Sequence, residues 1–369
     1  MTEFGPGAEM PADGAEIHVV DLKKYFDLRR GFLKSFRGEP VRVRAVDGIS
    51  FDIRQGEILS LVGESGCGKT TTGRLLTRLE EPTGGHIMFG GVDIASLEGH
   101  ALFEFRRNVQ MIFQDPYESL NPRYTVFRAV SEPLIIHRIA TSLEERTEVV
   151  IRALEDAGLR PAQDMLDRFP HELSGGQRQR VAIARAIVLN PKVIVADEPV
   201  SMLDVSIRAG VMNLMLDLRE KYRIPYVFIT HDIAVARYMA DRIAVMYLGR
   251  IVETGPMDEV IAHATHPYTR ALLASVPVPD PEHTYAQVPI FGELPSPINV
   301  PSGCRFRTRC VYAQEICTTT VPPNIEVKPG HFAECHFAVD IFEGRMAPRE
   351  AVSEAALESM SAGPPSVEP

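Results

Sequence analysis

Gly63-Glu64-Ser65-Gly66-Cys67-Gly68-Lys69-Thr70 follows directly on an apolar run ending at Val62 and precedes a helical run, Thr71 to Leu79. That order leaves few folds open. The glycines let successive backbone N–H groups turn inward at the mouth of a helix, where they form a cradle for phosphate. In such a loop Lys69 reaches the β and γ oxygens of a nucleoside triphosphate, and the Thr70 hydroxyl ligates Mg2+. Gly63, Ser65, Gly66, Cys67, Gly68, Lys69, Thr70 and Thr71 are therefore the candidate ATP-binding residues. The competing reading, a glycine-rich surface turn with a solvated lysine, does not call for a strand on one side and a helix on the other.

Four short apolar segments read as strands covered on both faces: Glu57 to Val62, Val109 to Phe113, Val193 to Ala196 and Tyr226 to Ile229. Helical periodicities alternate with them from about residue 17 to 265, the pattern of an α/β domain with a largely parallel sheet. Between the second and third strands Ser142 and Glu145 have capping-box spacing, and Gly158 with Pro161 marks a helix stop. Residues from about 115 to 172 are expected to form a helical subdomain inserted into this core.

Asp197 and Glu198 sit at the end of the strand at Val193, where Asp197 would hold Mg2+ and Glu198 would orient and deprotonate an attacking water. Acids at a strand end are weak evidence alone; beside a phosphate loop they are strong. Leu173-Ser174-Gly175-Gly176-Gln177, with Arg178-Gln179-Arg180 behind it, then narrows the choice among proteins carrying such loops. Ser174 reads as the cap of a helix whose N-terminal N–H groups face a phosphate.

This segment, placed shortly before Asp197, resembles the signature sequence of ABC ATPases. The resemblance implies the fold: a P-loop NTPase core with an inserted helical subdomain. It also implies that Ser174, Gly175, Gly176 and Gln177 contact the nucleotide of a second ATPase subunit, so that each active site is shared between two chains. Gln114 matches the family's Q-loop residue near Mg2+, His231 its H-loop residue bridging Glu198 and the γ-phosphate, and Asp204 its D-loop. Met202 stands where the family usually has a small residue. An aromatic before the first hairpin usually stacks on adenine in this family; Tyr25 and Phe26 are both candidates, with Phe26 favoured. The Arg29 to Arg44 segment is basic and partly apolar, which fits either a membrane-proximal face or a solvated hairpin.

From His266 the texture becomes Pro-rich and loop-rich, and His266-Pro267-Tyr268-Thr269-Arg270-Ala271-Leu272-Leu273 resembles the opening of the C-terminal extension of peptide-importer ATPases. A small loop-rich domain is expected over 266–342. The segments 1–16 and 343–369 are expected to be disordered, the latter with a possible short helix over Val352 to Met360. Four of the five cysteines fall in the extension, at Cys304, Cys310, Cys317 and Cys335. Their grouping reads as a metal site, and none of them forms the tight pair usual for structural zinc. Wider spacing suits an iron–sulfur cluster, whose charge Arg305, Arg307 and Arg309 would offset. Members of the family are similar in bearing a [4Fe-4S] cluster there. Zn2+, recruiting His331 or His336, and unligated thiols are the alternatives.

A chain of 369 residues with a net charge of −10 is an unlikely match to a phosphate backbone, so nucleic acid is not an expected partner. No basic, apolar leader precedes residue 17, and no apolar run is long enough to cross a bilayer. The resemblance then implies an ATPase at the cytoplasmic face of the inner membrane. Its partners would be a second and different ABC ATPase subunit, two transmembrane permease subunits and an extracytoplasmic solute-binding protein. Peptides are the leading solute, with oligosaccharide or nickel as alternatives. A soluble ABC protein acting on ribosomes or DNA is the rival class, and it normally carries two cassettes or a long coiled coil.

Overall fold

A computed structural model describes residues 15–28, 41–275, 290 and 292–348 of the chain. Strands β1 Ala15–Leu28, β2 Val41–Arg54, β3 Ile58–Val62, β4 Gly84–Phe89, β5 Val92–Asp93 and β6 Val109–Ile112 form its first part. Strands β7 Val193–Asp197, β8 Tyr226–Thr230, β9 Arg242–Tyr247, β10 Arg250–Pro256, β11 Asn324–Lys328 and β12 His331–Glu334 follow. The central strands are those whose sequences are mostly apolar: every residue of β3, β7 and β8 is buried. They pair in parallel, β6 with β7, β7 with β8, and β3 with both β8 and β9. A separate antiparallel sheet, in the order β2-β1-β4-β5, packs on the core.

The helix Lys69–Leu76 runs straight out of the glycine loop, and its Gly73 lies against Ile229 and Val195 of the sheet. Helices Val126–Ile136 and Leu143–Asp156 fall between β6 and β7. Thr125 caps the first through the Arg128 N–H, and Ser142 caps the second through the Glu145 N–H at 3.1 Å. Val130, Leu134, Val150 and Leu154 on these helices share one buried apolar cluster with Val181 and Ile183 of helix Gly175–Ile187.

The chain beyond His266 is joined to the sheet. β12 pairs antiparallel with β10, Glu253 opposite Ala333, and β11 pairs with β12. The large sheet therefore runs β11-β12-β10-β9-β3-β8-β7-β6. A second tie is a buried hydrogen bond between His331 Nε2 and Glu253 Oε1 at 2.8 Å, with both side chains fully buried. The same carboxylate accepts the Thr265 and His266 N–H groups. The basic segment proposed for a membrane face lies largely outside the described residues. So do the expected helix at Val352 to Met360 and most of 1–16. Among the described residues no helix is long and apolar enough to cross a membrane.

Candidate functional site

In a parallel sheet, the loops after the carboxyl ends of the strands open on one edge. Here the glycine loop follows β3, Gln114 follows β6, Glu198 follows β7 and His231 follows β8, so all four arrive at the same edge. The glycine loop, Gln114 and Glu198 border a cleft of about 300 Å³ lined by Val43, Ala45, Ser65, Gly66, Gly68, Lys69, Thr70, Thr71, Gln114 and Glu198, and His231 lies behind Glu198.

The loop is shaped by close approach. Gly68 has φ of +111°, and a Cβ there would stand 2.2 Å from the Ala45 carbonyl oxygen. At Gly63 a Cβ would meet the Met246 carbonyl oxygen at 2.2 Å and the buried Cys67 sulfur at 2.8 Å. Lys69 is buried, its ammonium donating to the carbonyls of Gly63 at 2.7 Å and Glu64 at 3.1 Å. A cation held by two carbonyls and the Cys67 sulfur, with no carboxylate among these partners, is poised for an anion.

Thr70 Oγ1 donates to Asp197 Oδ1 at 3.2 Å. Burial pushes the Asp197 carboxyl up, the Thr70 hydrogen bond opposes this, and the Glu198 charge adds to it. A buried carboxylate beside a hydroxyl, with its ionised form disfavoured, is a donor set that a hard divalent cation fits. Glu198 stands next to it with φ of +46°, a left-handed conformation strained for a non-glycine residue. Hydrogen bonds hold it there: its N–H donates to the Ile229 carbonyl at 2.9 Å, and its carbonyl accepts from Ser201. Gln114 Nε2 and His231 Nδ1 both reach Glu198 Oε2, each at 3.1 Å.

Ser174, Gly175, Gly176 and Gln177 do not line the cleft of their own chain. Ser174 caps the helix Gly175–Ile187 in a reciprocal box: its hydroxyl accepts the Gln177 N–H at 3.3 Å and the Gln177 side chain accepts the Ser174 N–H at 3.0 Å. Asp204 precedes the helix Val205–Tyr222 without capping it through its side chain, and the flanking Met202 and Val205 are exposed. Ser174 and Asp204 are themselves exposed, while Gly176 is buried.

The two aromatic candidates part company. The Tyr25 hydroxyl donates to Asp47, and burial together with that bond raises its pKa to about 12. Phe26, the next residue along the strand, faces the other way; it is exposed, with the Lys24 ammonium 4.9 Å from its ring centroid. Tyr25 is committed to Asp47, and Phe26 stays exposed beneath the Lys24 ammonium.

Cys317 and Cys335 are buried, and Cys304 and Cys310 are half-buried. Burial pushes Cys304 up to about 11 and Cys310 and Cys335 up to about 12, and in each case charge on the other cysteines raises it further. The Tyr312 N–H donates to Cys310 sulfur at 3.3 Å and the Phe337 N–H to Cys335 sulfur at 3.4 Å. Among the described residues no group of three or more His, Cys, Asp or Glu side chains is arranged to hold a metal ion. The neighbours expected to serve a metal are engaged elsewhere. His331 is bound to Glu253, and His336 contacts the Thr320 carbonyl. Arg305 pairs with Asp47, Arg309 with Glu64, and Arg307 donates to Ser302. The expectation that these arginines offset a cluster's charge is corrected by their partners: fixed carboxylates of the ATPase core claim two of them.

Residues 46–201 match the ABC transporter family, and residues 252–317 match the oligopeptide/dipeptide transporter C-terminal region. The oligopeptide transport ATP-binding protein AppF of Bacillus subtilis is 49% identical over 323 residues, spanning 87% of this chain and 96% of its own length. A putative peptide import ATP-binding protein of Brucella ovis is 50% identical over 306 residues, spanning 83% of this chain and 96% of its own length. Among solved structures, the dimeric post-hydrolysis state of the ATP-binding cassette MJ0796 bound to ADP and Pi superposes with a TM-score of 0.57. It is 31% identical and covers 65% of this chain and 98% of the cassette. CbiO1 from Clostridium perfringens, part of the ABC transporter complex cbiONQ, gives 0.58 at 27% identity, covering 68% of this chain and 92% of its own.

Proposed function

The chain belongs to the ATP-binding subunits of oligopeptide and dipeptide ABC transporters, and on that premise we propose how its residues divide the work of powering peptide import. ATP occupies the cleft after β3, its phosphates cradled by Gly63 to Thr71 and its adenine stacked on Phe26. Lys69 leaves the Gly63 and Glu64 carbonyls for the β and γ oxygens. Thr70, Asp197 and Gln114 are the residues that would hold Mg2+, which when bound offsets the charge on the phosphates. Glu198 is the general base that takes the proton of the attacking water. His231 and Gln114 fix the carboxylate and the water in line.

The observation that carries this assignment is the convergence of Gln114 and His231, from two different strand ends, on one oxygen of Glu198. A surface carboxylate has no need of two such partners. A base that must sit in one place does.

The exposure of Ser174 and Asp204, away from the cleft of their own chain, supports completion of each site by a second ATPase subunit. That subunit is proposed to be a different, related chain. Two permease subunits would take up the closing motion through the Gln114 loop, a solute-binding protein would deliver the peptide, and this chain would sit at the inner face of the membrane. With cysteines placed at residues 65 and 174 of opposing chains, crosslinking is expected when ATP is bound to a hydrolysis-blocked complex. It should disappear when nucleotide is removed. No crosslink in either state sinks the shared-site reading.

The four cysteines of the extension are proposed as ligands of a [4Fe-4S] cluster, with Zn2+ as the alternative. The grouping of the four in one small extension and the N–H groups directed at two of the sulfurs support ligation over inert thiols. Protein purified without oxygen should be brown and carry iron with acid-labile sulfide. A colourless protein with stoichiometric zinc would replace the cluster by zinc, and one with neither would leave the thiols unligated.

A further inference from the structure

The phosphate loop is held by residues of the C-terminal extension, 204 and 245 positions further along the chain than Glu64. Glu64, directly before Ser65 of the cleft, is gripped at three points. Its N–H donates to the Tyr268 hydroxyl at 2.8 Å, and its carbonyl accepts from Lys69 at 3.1 Å. Its carboxylate receives Arg309 at 3.0 Å and 3.2 Å. Tyr268 and Arg309 both belong to the C-terminal extension. Neither is a loose surface contact. Tyr268 is fully buried, packed on Tyr247 at 4.7 Å and Phe306 at 5.5 Å between ring centroids. Arg309 lies against the same two rings, with its guanidinium 5.9 Å from Tyr247 and 6.0 Å from Phe306. A further bond from Arg305 to Asp47, which also holds Tyr25, anchors the same stretch of extension beside the core.

We propose that Tyr268 and Arg309 are positioning residues for ATP: they hold Glu64 and thereby set the shape and charge of the phosphate loop, so that the extension governs nucleotide affinity. The inference rests on the reading that this loop binds ATP. Two physical effects act together. The Tyr268 hydroxyl takes up an N–H at the start of the loop and fixes the turn that follows. Arg309 neutralises a carboxylate that would otherwise repel an incoming triphosphate.

The test is ATP affinity of the full-length subunit, measured by competition with a fluorescent ATP analogue in Mg2+, alongside thermal unfolding. Arg309→Met is expected to weaken binding about tenfold, and Arg309→Lys to keep it within about threefold. Tyr268→Phe, which retains the ring packing, is expected to weaken it about fivefold. The decisive comparison is Glu64→Gln, which removes the charge that Arg309 answers. In that background Arg309→Met should change affinity by less than about twofold, because the interaction is already gone. A general structural role predicts the opposite, an equal loss in both backgrounds together with a lowered melting temperature, and that result overturns the proposal. So does unchanged affinity in Tyr268→Phe, which serves as the test should Arg309→Met fail to fold. If the unaltered chain itself binds no ATP, the assignment of the site fails instead, and the two failures are told apart by that control.

Discussion

Glu198→Gln is expected to slow ATP hydrolysis by the assembled transporter at least about a hundredfold while leaving ATP bound. The amide has the size of the carboxylate and still meets Gln114 and His231, which now lie 3.1 Å from Glu198 Oε2, so the geometry of the cleft is kept. What it loses is the capacity to take a proton. Phosphate release and retained radiolabelled nucleotide, measured on the same preparation, separate the two effects. Hydrolysis within about twofold of the parent rate would remove Glu198 from the chemistry and point to a silent, nucleotide-propped dimer.

Gly68→Ala is expected to abolish ATP binding and to destabilise the chain by about 3 kcal/mol or more. Two penalties coincide at this residue. Its φ of +111° is one that side chains rarely adopt, and the new methyl would stand 2.2 Å from the backbone oxygen of Ala45, which has no flexible end to swing aside. Gly56 gives the comparison: φ is +68°, but nothing lies within 4 Å of an added methyl. Gly56→Ala should therefore lose only about 1 kcal/mol and bind ATP normally. Equal melting temperatures and equal affinities for the two variants would show that the contact with Ala45 does not shape the loop.

The parts of the fold most legible in the sequence are those whose signal is local. β3, β7 and β8 announce themselves because a strand covered on both faces is apolar on both, its one interior polar residue, Ser60, bonding the Phe228 carbonyl, and the structure places them within a residue of their expected limits. Ser142 is legible as a cap because the bond it makes spans three residues. The hairpin of β11 and β12 is not legible. β11 is short, alternates exposed and half-buried residues, and finds its place only through β12, which in turn pairs with β10 some eighty positions earlier in the chain. No local pattern encodes so distant a neighbour.

The same limit explains the arginines. Near the cysteines in sequence, Arg305 and Arg309 suggest service to the thiols, yet their carboxylates are Asp47 and Glu64. Tyr268 stands out in the sequence only as part of a family motif; nothing in its surroundings along the chain says that its hydroxyl meets a backbone N–H two hundred residues away. Tyr25 and Phe26 illustrate a finer ambiguity. Consecutive strand residues point to opposite faces, and both are aromatic, so only the position of Asp47 decides which ring is left open.

The antiparallel seam between β10 and β12 also bears on how the polypeptide comes apart. A sheet that ended at β10 would present a row of unpaired N–H and C=O groups, a template for joining another molecule edge to edge. β12 occupies that row, and His331 buries the Glu253 carboxylate in the same stroke. Losing the last strands would bare the edge and take from Glu253 its buried His331 partner. The cysteine-bearing tailpiece and the catalytic body are accordingly bound to melt as one cooperative unit, with no intermediate in which the engine stands alone.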